Sequence, residues 1–203
     1  MLAGSTRFND LRRGVPRMSP ALLSQRLKEL EEAGVIERKP VPGEPSVSEY
    51  LLTRAGEELR PIITAFGVWG QRWIDSDLSL ENLDPNLLMW DMRRNLNCNP
   101  MPKRRCTIEF MYPDAPKKEE REWWLVVAPE EGVDLCKIDP GFDVDLYVSS
   151  DLRTMTAIWM GYDSLKKALR EGNVKLTGDK QLAQNIETWI GLSPFAKEKC
   201  ALR

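Results

Sequence analysis

Apolar positions in the first seventy residues recur mostly with helical spacing. In RFNDLRR, Phe8 and Leu11 lie three apart, one turn of an amphipathic helix that stops near Gly14, Val15 and Pro16. Ser19 can accept a free backbone N–H, and Pro20 has none to satisfy, so a second helix is expected from about 20 to 33. On it Leu23, Leu27, Leu30 and Ala33 fall on one side, and Ala21, Ser24, Gln25, Lys28 and Glu32 fall opposite. Gly34 suits the left-handed residue that ends a helix. VIERK then reads as a strand pairing with EYLL across PVPGEPSVS, a β-hairpin with a long, proline-stiffened tip. From Thr53 onward Leu59, Ile62, Ile63, Phe66, Trp69 and Trp73 keep helical spacing, and Pro61 should kink that helix because it removes a backbone donor. Their stripe is too large for a small domain to bury: it is either a dimer face, with Ile62, Phe66, Trp69 and Trp73 at its centre, or a surface that docks on a second domain.

The pattern changes after Trp73. DSDLSLENLDP is polar and turn-rich and marks a linker over 75–83. The expected division is therefore a first domain over 1–74 and a second over 84–203. Asp84 and Pro85 open a helix whose Leu87, Leu88, Trp90, Met92 and Leu96 imply extensive burial. CTIEFMY, EWWLVVA, VDLCKI and DVDLYV follow with Pro, Gly and Asp between them, predicting a meandering antiparallel sheet of at least four strands. Trp123 to Val127 is unbroken and reads as covered on both faces, whereas Val144, Leu146 and Val148 alternate with Asp145 and Tyr147 and read as half-buried. Helices are expected over about 151–160 and 163–171, and a last one capped by Asp179 with Leu182, Ile186, Trp189 and Ile190 on one face. The fold class is α+β: a helical unit with a hairpin, then a sheet covered by helices.

Composition narrows the chemistry. The chain has no histidine, which removes the commonest general base and every imidazole-dependent triad. Cys98, Cys106, Cys136 and Cys200 are far apart without a CxxC pair, so no zinc set is expected and the thiols read as reduced and mostly structural. With no GxSxG and no tight carboxylate pair either, an enzyme is disfavoured, and neither metal nor cofactor is implied. No apolar run approaches the roughly 20 residues of a membrane span and no secretory signal opens the chain, so a cytoplasmic protein is expected. The net charge of -2 is uneven: residues 1–73 hold 11 Lys/Arg against 9 Asp/Glu, and residues 74–203 hold 18 against 22. The basic excess lies where a polyanion would be met.

Helix, turn, second helix and hairpin in that order make a winged helix-turn-helix, in which the second helix enters the major groove. Its exposed face either reads bases or is an ordinary solvated face, and the surrounding motif favours reading. RFNDLRRGVPRMSPALLSQRLKELEEAGVIERK followed by EYLLTRAGEELRPIITAFGVWG resembles the HxlR family of bacterial winged-helix regulators over about residues 7–70. The resemblance implies a homodimer on a pseudo-palindromic double-stranded DNA operator, with a recognition helix from Ser19, a wing over 40–48, and Ala21, Ser24, Gln25 and Lys28 facing bases. Arg12, Arg13, Arg17, Ser19, Arg38 and Lys39 are assigned to phosphates, since loops and wings flank the groove. Members of that family carry a further helix and strand before the RFNDL segment, so the first domain reads as shortened at its start.

In the second half, DVDLYVSSDLRTMTAIWMG, SLKKALREGNVKLTGD and the closing helix resemble the sterol carrier protein type two domain over about residues 84–195. That resemblance implies a five-stranded sheet and an apolar cavity for a sterol, acyl chain or similar hydrophobe, bordered by Met155, Ile158, Trp159, Leu165, Leu169, Leu182 and Ile186. Two functions follow. One is a transcription regulator that responds to a hydrophobic small molecule. The other is a lipid-binding or lipid-transfer protein whose winged half serves only for dimerisation.

Overall fold

Ser19 starts the element on which the first unit is organised. Its hydroxyl oxygen accepts the Leu22 N–H at 3.2 Å, and helix α2 runs Pro20–Glu32 behind helix α1, Phe8–Arg13. The computed structural model describes residues 1–201, apart from the side chains of Pro45, Ser46, Leu78 and Ser79. It divides into two units, Met1–Gly70 and Gln71–Arg203. The expected boundary lay a few residues later, at the linker over 75–83; a short helix, α5 (Ser76–Ser79), lies in that segment.

In the first unit, Gly34 adopts φ +70 and turns the chain out of α2 into strand β1, Ile36–Val41, which pairs antiparallel with β2, Glu44–Leu52. The register joins Ile36 to Leu52 and Val41 to Glu44, so the hairpin closes through Pro42 and Gly43 alone. The long tip expected from PVPGEPSVS is therefore mostly strand, with a register shift between Pro40 and Val41 that leaves residues 45–47 of β2 without cross-strand partners in the register. Leu23, Leu27 and Ile36 form a small core on which Met1, Phe8, Leu11, Val15, Met18 and Leu52 pack. Leu30 and Ala33, expected on the core side of α2, are exposed, because the helix continues past the elements it covers. The stretch before α1 touches the hairpin: Tyr50 N–H bonds Thr6 O at 2.8 Å, and Arg7 and Glu49 form an isolated antiparallel bridge beside β2.

Thr53 caps helix α3, Arg54–Glu58, and after Leu59 the chain continues as α4, Arg60–Trp73. The interruption falls just before Pro61, whose ring has no N–H to continue the ladder.

In the second unit Asp84 caps α6, Pro85–Asn95, through the Asn86 and Leu87 N–H groups. Strands β3 (Cys106–Met111), β4 (Glu122–Ala128), β5 (Gly132–Cys136), β6 (Leu146–Ser150) and β7 (Val174–Gly178) form one sheet in the order β5-β4-β3-β6-β7. The expected meander is correct for β3, β4 and β5, but β6 returns beside β3 and pairs with it in parallel. Alternation in the sequence reports faces, not neighbours, and so could not reveal that crossover. Helices α7 (Leu152–Trp159), α8 (Leu165–Glu171), α9 (Lys180–Gln184) and α10 (Ile186–Trp189) share one core with alternate residues of every strand. Trp123 to Ala128 is buried throughout, as its unbroken apolarity required.

Candidate nucleic-acid interface and the apolar layer

The exposed face of α2 is set by the burial of the opposite face. With Leu23 and Leu27 in the core, Ala21, Ser24, Gln25 and Lys28 are all exposed on the side facing away. The cap adds a second feature: the Ser19 oxygen already accepts Leu22 N–H, so its own O–H can donate outward. Cations lie on the segments that precede and follow the helix. Arg12 and Arg13 close α1, Arg17 lies in the turn, and Arg38 and Lys39 stand on β1; all are exposed. Arg13 is paired with Asp10 at 3.2 Å and Lys39 with Glu37 at 2.6 Å, while the Arg38 guanidinium lies over the Tyr50 ring at 5.9 Å. Such exposed pairs are weak and can exchange for contacts with phosphate.

Two residues on this helix were absent from the sequence-based selection. Glu29 accepts from Gln25 Nε2 at 3.0 Å and from Arg26 Nη1 at 2.6 Å. The Arg26 hydrogen bond, with a smaller share from Gln25, holds the Glu29 carboxyl below its ordinary range. The i,i+3 and i,i+4 spacing was visible in the sequence, but one acidic side chain on a face judged by its cations gave no reason to single it out. At the hairpin tip Arg7 also bridges to Glu44 at 2.7 Å, which ties the segment before α1 to the wing.

On α4 the apolar stripe stands in solvent. Ile62, Phe66, Trp69 and Trp73 are 62%, 70%, 52% and 53% exposed, and the Phe66 and Trp69 rings stack with centroids 6.0 Å apart.

In the second unit Met155, Ile158, Leu165, Leu182 and Ile186 are buried in the common core, and Trp159 and Leu169 lie at its margin. The Trp159 indole Nε1 is a buried donor without a hydrogen-bond partner among the described residues. A separate cleft of about 310 Å³ is lined by polar groups that include Asp114, Ser150, Asp151, Asn173 and Lys175. Its two carboxylates are engaged at the start of α7: Asp114 accepts from Leu152 N–H at 3.0 Å and Asp151 from Thr154 N–H at 2.7 Å. None of the seven residues assigned to an apolar cavity lines that cleft. Among the described residues no group of three or more Cys, Asp or Glu side chains is placed to hold a metal ion, and no helix is long and apolar enough to cross a membrane.

Residues 1–78 match the family described as HxlR-like helix-turn-helix. The chain is 43% identical over 75 residues to the uncharacterized HTH-type transcriptional regulator YvaP of Bacillus subtilis, a match covering 37% of this chain and 69% of that protein. It is 34% identical over 94 residues to YybR of the same organism, covering 46% and 73%. A regulator from Methanothermobacter thermautotrophicus is 36% identical over 70 residues, covering 34% of this chain and 53% of its own. These relatives are named as transcriptional regulators, not as enzymes. Among solved structures, sterol carrier protein domain 2 of Helicoverpa armigera aligns over 51% of this chain and 79% of its own at TM-score 0.37 and 19% identity. The sec-alkylsulfatase Pisa1 from Pseudomonas sp. aligns over 55% of this chain and 17% of its own at TM-score 0.41 and 20% identity.

Proposed function

The chain belongs to the HxlR-like helix-turn-helix family, and from that premise we propose that it is a cytoplasmic, homodimeric, DNA-binding transcription regulator whose second unit takes a hydrophobic small molecule. The observation that carries the DNA half is the exposed Ala21, Ser24, Gln25 and Lys28 face of a Ser19-capped helix with cations at its flanks. A helix of this kind enters the major groove with its N-terminal turns first. The acidic residues Glu31 and Glu32 close the helix, away from that end. Arg12, Arg13, Arg17, Ser19, Arg38 and Lys39 supply phosphate contacts, which give affinity and register without sequence information. The exposed α4 stripe is of the size and chemistry that a second copy would cover, and a two-fold dimer presents two recognition helices to a repeated half-site.

The ligand half is supported by the apolar layer of Met155, Ile158, Leu165, Leu182 and Ile186 under the sheet, and by the unpaired Trp159 N–H beside it. A hydrophobe with one polar end would suit such a layer if it opens, since flexible methionine accommodates varied shapes and a single donor fixes orientation. Helix α4 begins in the first unit and its last residues, from Gln71, belong to the second.

The test is selection of duplexes from a random library by the full chain at about 0.15 M salt, repeated after delipidation and after restoring the extracted hydrophobe. The expected result is a two-fold repeated half-site whose affinity shifts with the hydrophobe. Selection of no sequence would overturn the regulator, and an affinity indifferent to the hydrophobe would remove the response.

A further inference from the structure

We infer that Glu29 is a positioning residue that presets Gln25 to read an adenine in the major groove, an assignment that rests on the groove-reading role proposed for α2. A glutamine amide has a donor end and an acceptor end of nearly the same shape. Left free, it can present either one to a base edge. A carboxylate only accepts, so the amide nitrogen of Gln25 must be the end that faces Glu29, at 3.0 Å. One N–H is used there. The carbonyl oxygen and the second N–H remain, and together they complement the adenine edge, where N6 donates and N7 accepts.

A carboxylate beside DNA would ordinarily weaken binding by repulsion from phosphate. Here Arg26 donates to the same carboxylate at 2.6 Å and offsets its charge. The three side chains share one turn of α2 at i, i+1 and i+4, with Leu23 and Leu27 fixing the rotation of the helix beneath them. Glu29 is an exposed residue of α2.

The assignment predicts an unusual separation of affinity from specificity. Glu29→Ala removes a negative charge and frees Arg26 for phosphate, so total DNA affinity is unchanged or higher. Preference for A·T at one position of each half-site falls by at least about fivefold, the lower end of what a bidentate base contact contributes. Glu29→Gln, which keeps a carbonyl acceptor, retains part of the preference, and Gln25→Ala abolishes it at that position alone. The experiment is in vitro selection with the full-length protein and these three variants, with thermal melts confirming that all fold.

A Glu29→Ala protein that keeps the wild-type preference overturns the assignment, as does one that loses affinity and preference evenly across the site. A Gln25→Ala protein with unaltered preference does the same. If the wild-type chain selects no sequence, the groove-reading role of α2 fails and this assignment fails with it.

Discussion

Glu109 sits on β3 opposite Trp124 of β4, on the face of the sheet turned away from the shared core. Burial, and to a smaller degree the neighbouring charges of Glu122 and Asp139, push its carboxyl above the ordinary range, against a hydrogen bond with Trp124 that acts the other way. The folded state therefore holds this proton more tightly than the unfolded chain, whose glutamates titrate near about 4.3. Stability from this residue is complete below that value and is lost as pH rises through the raised one. Glu109→Gln is expected to be more stable than the parent at pH 7, with the advantage shrinking towards pH 4, in urea melts across that range. An advantage independent of pH would contradict this origin. Gly178 shows another residue-level constraint that the sequence only half revealed. EGNVKLTGD was recognisable as a segment, yet the reason for its glycine is spatial: φ is +132, and a Cβ there would lie 2.2 Å from the Asp145 carbonyl oxygen.

At the scale of elements, caps and periodicity were the legible part. Ser19, Thr53, Asp84, Asp151 and Asp179 all accept N–H groups at helix starts, and of these the first, third and last were readable beforehand from sequence alone. Lengths were less legible. The closing helix is two pieces, Lys180–Gln184 and Ile186–Trp189, because Asn185 leaves helical geometry at φ -99 and ψ 9, although all four expected apolar residues are still buried. The hairpin tip was overestimated because prolines suggest loops, and edge positions tolerate them in strands. Helix α4 carries its apolar side chains into solvent, and burying each one fully would contribute about 1.5–3 kcal/mol. Phe66→Asp is therefore expected to convert a dimer to a monomer in sedimentation equilibrium without lowering the melting temperature of the separated chain. A wild-type chain that stays monomeric at tens of micromolar, or a variant that remains dimeric, would show that this stripe is not the dimer contact.

For the whole molecule, the order of the two units and the nature of each were legible, and so was the basic bias of the first. The placement of β6 parallel to β3 was not, since it depends on contacts between segments some forty residues apart. The candidate reading face was legible because a helix has only one side left once Leu23 and Leu27 are buried. The apolar layer was legible as composition, but whether Met155, Ile158 and their neighbours open around a ligand depends on packing that periodicity does not encode. The family match covers residues 1–78, so the regulator reading stands first on α2. Its most direct test is a titration of the selected duplex with the full chain and with a variant carrying Ser24→Ala, Gln25→Ala and Lys28→Ala, measured by fluorescence anisotropy with excess competitor DNA. The account predicts at least about a hundredfold loss of affinity, as expected when several base contacts of 1–3 kcal/mol are removed, with an unchanged melting temperature. Equal affinity of the two proteins would contradict it.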